Sequence, residues 1–291
     1  MVNKPTPDEL KRRYEENREK AVASFPFARI ETAGDQAFST WEDLVSASRG
    51  APVVVGDYDA LARIAEMVPD MPGFARKSTE EILEVATRIR HPDDMISQHA
   101  KDMAQARERL PELIQRKSDV PLPDFVQAAL SGISVSTQSR EELIAAMLRE
   151  SQPEVGEWPA TAPESPQLSV AFDMRSGAPL PRAHIVILPT DDWTTIPAHL
   201  RWGNWNGCPA PEYHVAAFRS WRDRYGAELV GLSHDVVNIR VRRRPKTRDE
   251  ALDLAREQYS YCSDIVDQGV GTLNALAAAL MEHDWWYFWW D

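Results

Sequence analysis

The chain is poor in cysteine, with two in 291 residues. Two thiols cannot build a disulfide framework, and so sparing a use fits a reducing cytoplasm. Neither belongs to a CxxC pair and no HExxH occurs, so no local spacing supports a zinc site. Walker A and GxGxxG spacings are missing as well, which removes the usual nucleotide signatures. No apolar run approaches the roughly 20 residues that a membrane helix requires. The opening stretch, residues 1–20, is charged throughout and reads as neither a signal peptide nor a spanning segment. A basic excess is also lacking: 33 Lys and Arg stand against 45 Asp and Glu, a net charge of −12. That balance disfavours nucleic acid, whose sequence-independent binding runs on cations that neutralise phosphates. What is left is a soluble, acidic, cytoplasmic protein with no metal or other cofactor expected.

With 43% hydrophobic and 27% charged residues, the chain can bury a real core. The negative charge is shared evenly along it, but tryptophan is not: of ten, only Trp41 precedes residue 150. Residues 151–167 hold Pro153, Pro159, Pro163 and Pro166 without a helical period, the mark of an extended linker or covering strap. The reading is therefore α+β: a mostly helical N-terminal region over 1–150, the proline-rich stretch, and a mixed, Trp-rich domain over 168–291 that ends in an aromatic strand.

Local signals place the elements. Thr6-Pro7-Asp8-Glu9 opens a helix reaching about Ala23. Ser39-x-x-Glu42, Ser78-x-x-Glu81 and Ser139-x-x-Glu142 have capping-box spacing, and Pro52–Gly56 suits a buried strand. In the second part, strands are expected at Leu168–Asp173, His184–Leu188, Ala227–Gly231, Val236–Arg242 and Trp285–Trp290. Helices are expected from Glu212 to Tyr225, stopped by Gly226, from Thr247 to about Cys262, and from Thr272 through Met281.

The densest set of reactive side chains is Trp202-Gly-Asn-Trp-Asn-Gly-Cys-Pro-Ala-Pro-Glu-Tyr-His214. Cys208 precedes a helix start, where unpaired N–H groups favour a thiolate, and His214 sits near the first turn of that helix. Together they would make a nucleophile and its base, with Asn204 and Asn206 donating to an oxyanion and Trp202 and Trp205 lining a ligand. The competing reading is structural: His214, Phe218, Trp221 and Tyr225 form one helical stripe, and buried cysteine is common.

Tyr261-Cys-Ser-Asp-Ile-Val-Asp-Gln-Gly-Val-Gly-Thr272 forms a second set. Asp264 or Asp267 would orient His214, Gln268 would contact a polar ligand, and the Gly269-Val-Gly-Thr turn would cradle an anion; a capped interhelical turn accounts for the same residues. A zinc site from Cys208, His214 and Cys262, with His234 or Asp264 as fourth ligand, would have to be assembled from distant segments. Arg240, Arg242 and Arg244 share one face of a strand that would meet phosphate or an acidic partner; a solvated or edge-protecting face is the structural alternative, and the net charge favours a local partner or internal acidic groups over nucleic acid. The Trp285-Trp-Tyr-Phe-Trp-Trp-Asp291 ending requires burial on both faces, or else a partner, because four exposed indoles would aggregate.

Several of these motifs occur together in a recognisable order. Trp202-Gly-Asn-Trp-Asn-Gly-Cys-Pro209, His214, Trp221-x-x-x-Tyr-Gly-Ala-Glu-Leu229, Tyr261-Cys-x-Asp-Ile-Val-Asp-Gln-Gly269 and Tyr287-Phe-Trp-Trp-Asp291 resemble the bacterial family catalogued as domain of unknown function 4253. The resemblance covers about residues 185–291, and Trp41–Gly56 with Gly156-x-Trp-Pro159 are similar to the region upstream in longer members. It implies a bacterial protein whose C-terminal part is the defining module, and it brings no activity, cofactor or catalytic residue with it.

Two functions follow from the residues. One is a non-enzymatic binding protein, immunity- or antitoxin-like, that masks a partner protein with a basic surface. The other is a Cys–His enzyme of acyl or related group transfer, with a small-molecule substrate, Cys208 as nucleophile and His214 as base.

Overall fold

The computed structural model describes residues 6–47, 50–69, 76–98, 100, 101, 108 and 153–291. They divide into two compact units, one formed by Met1–Pro92 with Glu154–Asp291 and the other by Asp93–Pro153. The capping box expected at Ser139–Glu142 lies outside the described residues.

The first unit is a mixed α+β structure around one six-stranded sheet. In chain order its strands are β1 (Ala28–Thr32), β2 (Ala51–Gly56), β3 (Ala183–Leu188), β4 (Glu228–Leu232), β5 (Val236–Arg240) and β6 (Trp285–Trp289). Their order in the sheet is β1-β3-β2-β4-β5-β6. Every neighbouring pair is antiparallel except β2 and β4, which run parallel with Val54 opposite Gly231. Strands from both sides of the proline-rich stretch thus share one sheet.

Local chemistry sets most element ends. Thr6 and Glu9 close a reciprocal capping box over α1 (Pro7–Ala23), and Ser78 with Glu81 does the same for α4 (Thr79–Ala86). Between them lie α2 (Ala37–Ser46) and α3 (Tyr58–Met67), the latter capped by the Asp57 carboxylate. All six residues of β2 are buried, as its run of valines requires. Further along come α5 (Ile196–Leu200), α6 (Pro211–Tyr225), α7 (Arg248–Tyr261) and α8 (Leu273–Glu282). Gly226 ends α6 at φ 61°, a conformation that costs glycine nothing.

Some expectations need correction. Ser39 does not open a helix: a 3-10 turn over Gly34–Gln36 leads directly into α2, and Ser39 Oγ donates to the Gln36 carbonyl from inside it. The strand expected at Leu168–Asp173 is a 3-10 turn at Ser169–Ala171, because buried Asn238 holds Ser169 Oγ and the Val170 N–H and pulls the segment off the sheet. The fifth strand ends at Arg240 instead of Arg242, since the Arg242 and Arg243 N–H groups turn away to the Tyr225 carbonyl. Strand β1 gave no sequence signal, being a mostly exposed edge strand.

The terminal strand β6 is the other edge of the sheet. Its period of two sends Trp286, Phe288 and then Trp290 toward Trp221 of α6 and Tyr261 of α7. Trp285, Tyr287 and Trp289 instead join a core with Trp41, Leu168 and Val170. The proline-rich stretch is a strap over this edge. Its Glu154 and Val155 carbonyls accept the first N–H groups of α8, Ser165 Oγ donates to the Trp285 carbonyl, and Arg248 stacks over Trp158.

Candidate functional site

Three side chains meet where α6 faces α7. Cys208 Sγ lies 3.5 Å from His214 Nε2, and His214 Nδ1 lies 2.6 Å from the Tyr261 hydroxyl. The loop before α6 makes the first contact: Asn204 and Asn206 take positive φ, Gly203 sits at φ 116°, and the chain folds back until the Asn204 N–H reaches the Pro209 carbonyl. Both asparagines thus serve the backbone turn of this loop, and their side chains are exposed.

The surroundings are aromatic. Rings of Trp202, Tyr261, Trp290 and Phe218 stand 4.6, 5.3, 5.8 and 6.1 Å from the imidazole. His214 is wholly buried and Cys208 is 5% exposed. Trp202 is buried too, with its indole N–H given to the Ser233 carbonyl and Trp205 packed edge-on at 5.0 Å. The expectation of a thiol favoured as thiolate is overturned: burial pushes the Cys208 thiol well above its ordinary range, and it moves Cys262 up to about 12. Burial likewise lowers His214 to about 3, so the ring is neutral.

His214 Nδ1 and the Tyr261 hydroxyl share a hydrogen bond in which either can donate, and the ring's other nitrogen, Nε2, faces Cys208 Sγ. With Nδ1 accepting from the tyrosine, Nε2 carries the hydrogen; with Nδ1 donating, Nε2 presents its lone pair to the thiol.

Asp264 and Asp267 bond elsewhere. Asp264 accepts from Gln268 Nε2 and the Asp291 N–H, and Asp267 accepts from the Tyr259 hydroxyl. The group that orients His214 is Tyr261, within the second motif but not singled out there. The expected anion cradle is closed: the Leu273 and Asn274 N–H groups go to the Glu154 and Val155 carbonyls, and the Ala275 N–H goes to Thr272 Oγ1. The zinc candidates are dispersed as well, with His234 Nε2 on Asp235 and Cys262 Sγ on the Trp289 carbonyl. Among the described residues no three or more His, Cys, Asp or Glu side chains converge as metal ligands.

The arginines are matched from within. Arg240 pairs with Glu42 at 3.1 Å and lies over Phe38, Arg242 pairs with Glu228 at 2.8 Å, and Arg244 donates to the Glu282 carbonyl. This row thus meets internal acceptors, although only Arg240 belongs to the strand.

An open cleft of about 580 Å³ lies at the carboxyl ends of the parallel pair β2 and β4, where open sheets commonly bind ligands. Among the described lining residues are Asp57, Asp59, Asp173 and Asp235 and one guanidinium, Arg175, with His234 Nε2 3.2 Å from Asp235. Burial would raise Asp59, but hydrogen bonds from Arg18 and Arg63 outweigh it and hold the carboxyl below its usual value. Ser176 does the same for Asp173. On the rim, Phe172 and Met174 are 36% and 75% exposed. The four aspartates come from three distant segments, so no local motif announced them; the only sequence cue was Asp57 directly after a buried strand.

Comparison with known proteins places a domain of unknown function (DUF4253) at residues 184–291. The domain contains the Cys208–His214–Tyr261 cluster and β4 to β6, whereas β1 and β2 of the same sheet lie before it. No curated protein and no solved structure matches the chain. Among the described residues no helix is long and apolar enough to cross a membrane.

Proposed function

We propose that this chain is a non-enzymatic cytoplasmic binding protein whose acidic cleft receives a basic segment of a partner protein, masking it as an immunity or antitoxin-like protein would. The observation that carries the reading is the described cleft lining, in which Asp57, Asp173 and Asp235 stand with one arginine, Arg175, while Asp59 is already paired with Arg18 and Arg63. The net charge of −12 supports it by steering basic partners toward the surface. Single exposed ion pairs contribute only about 0–1 kcal/mol each. Affinity therefore depends on several pairs acting together, with Phe172 and Met174 supplying apolar contact at the rim.

The test exploits Met174, 75% exposed and free of any structural burden in the packed core. A partner recovered on the native protein is purified and titrated against wild type, Met174→Lys and Met174→Glu at low and high salt. Met174→Lys is expected to weaken binding about fivefold and Met174→Glu to hold or strengthen it, with salt weakening all three. A partner indifferent to both the rim charge and salt refutes the acidic-cleft reading, as does the absence of any partner.

The 3.5 Å Cys208–His214 contact favours a second reading, the Cys–His acyl-transfer enzyme. Burial of both groups weighs against it, and the reactivity of Cys208 decides it.

A further inference from the structure

The two edges of the sheet are finished differently. Along β6 the strap and the end of α7 supply cover, with Ser165 Oγ donating to the Trp285 carbonyl and Cys262 Sγ to the Trp289 carbonyl. At the opposite edge, β1 pairs with β3 through all five of its residues, without the register shifts that interrupt β2 with β3 and β4 with β5. Among the described residues, no backbone hydrogen bond other than those to β3 reaches Ala28–Thr32. A strand bonded on one side turns alternate N–H and carbonyl groups outward, which makes it a template for another strand. Proline, lysine and bulges, which commonly blunt such an edge, do not occur in Ala28-Arg-Ile-Glu-Thr32. Its only charges are Arg29 and Glu31, of opposite sign.

The side chains say which strand fits. Arg29 and Glu31 stand on one face of β1 and both are exposed, whereas Ile30 between them is half-buried on the other face, packed against the core around Trp41 and Val54. Arg29 has no ion-pair partner among the described residues. Glu31 has Arg182 at 3.4 Å and His184 at 4.0 Å, contacts of an exposed carboxylate that contribute little.

Two copies of β1 related by a two-fold axis at Ile30 run antiparallel. Ile30 then meets its own counterpart, Arg29 of each copy lies opposite Glu31 of the other, and Ala28 lies opposite Thr32. That register sets a cation against a carboxylate twice and joins the two isoleucines on the apolar face. Sliding the copies by two residues sets Arg29 against Arg29 or Glu31 against Glu31, and a slip of one puts the isoleucines on opposite faces. We propose that β1 is a dimerisation edge, which pairs antiparallel with β1 of a second copy of this chain about Ile30 and joins the two sheets into one. Strand β3 separates this edge from the acidic cleft at β2 and β4, and the inference does not rest on the partner reading.

The full chain is followed by sedimentation velocity from micromolar to near-millimolar concentration. Wild type should move from the mass of one chain toward twice that mass, reversibly, because a five-residue edge buries a small interface. Arg29→Glu and Glu31→Arg each bring two like-charged pairs together and should weaken self-association about tenfold or more. Mixed in equal amounts, these two variants should associate with each other about as tightly as wild type does with itself, since each supplies the sign that the other lacks. The chain carrying both exchanges should self-associate again. Both positions are exposed, and melting curves report that each variant is folded. A wild-type chain that stays monomeric over the whole range overturns the proposal. So does a dimer indifferent to the single exchanges, which would place the interface elsewhere, or a pair of single variants that remain apart when mixed, which would exclude this register.

Discussion

The Tyr261 hydroxyl and His214 Nδ1 share a buried hydrogen bond of 2.6 Å, while Nε2 of the same ring stands 3.5 Å from Cys208 Sγ. A neutral imidazole has one donor and one acceptor nitrogen. The direction of the tyrosine bond therefore fixes the opposite role for Nε2 toward the thiol: donor if Nδ1 accepts, acceptor if Nδ1 donates. The Cys–His pair is thus partnered on both sides of the ring within an aromatic core.

Acid should expose that burial. His214 falls from the usual 6.5 to about 3 in the folded protein, so between those values the unfolded chain binds the extra proton. Its contribution to stability is present above pH 6.5 and is lost as the pH falls toward 3. From pH 7.5 to 5.5 this one group should cost about 1.4 kcal/mol. Denaturant melts at both pH values should show His214→Gln losing that much less than wild type. An equal loss in both would mean that His214 is not held neutral.

Thiol chemistry gives an independent check. With burial raising both cysteines, alkylation of native protein between pH 5 and 9 should proceed no faster than the chain opens, and peptide mass spectrometry should find Cys208 and Cys262 unmodified until denaturant is added. Rapid labelling of Cys208 with an apparent pKa below about 8.5, reversed by His214→Ala, would put the enzyme reading ahead.

Gly203 closes the cluster on its loop side. At φ 116°, a Cβ there would stand 2.2 Å from the Pro209 carbonyl oxygen and 2.8 Å from His214 Nε2. Both the conformation and the space forbid a side chain, so Gly203→Ala should destabilise the protein by about 2–4 kcal/mol in denaturant melts. A neutral effect would mean that the loop packs differently.

The chain's last seven residues should be indispensable. Trp286, Phe288 and Trp290 are at most 3% exposed, and burial of one tryptophan is worth about 4–6 kcal/mol gross as an upper bound. Deleting Trp285–Asp291 should abolish soluble expression. A soluble truncation that melts cooperatively would contradict the core role of β6.

The sequence by itself determined what acts over one helical turn or one strand period: the caps at Thr6, Ser78, Thr247 and Thr272, the stop at Gly226, the buried run of β2 and the two-faced aromatic ending. These signals are local because a hydroxyl three residues from an N–H, or a side chain two residues along a strand, meets its partner without the rest of the chain. It also brought Cys208 and His214 together, six residues apart. Only the tertiary structure decided what surrounds that pair, since the hydrogen-bond partner of His214 is 47 residues away and the aromatic walls come from the loop before α6, from α6, from α7 and from the strand end. The same holds for Arg240, matched by Glu42 across 198 residues, and for the N–H groups of α8, taken by a strap that from sequence alone reads equally as a linker. Burial and counter-charge are properties of everything packed around a group, and no spacing along the chain encodes them until the chain has closed.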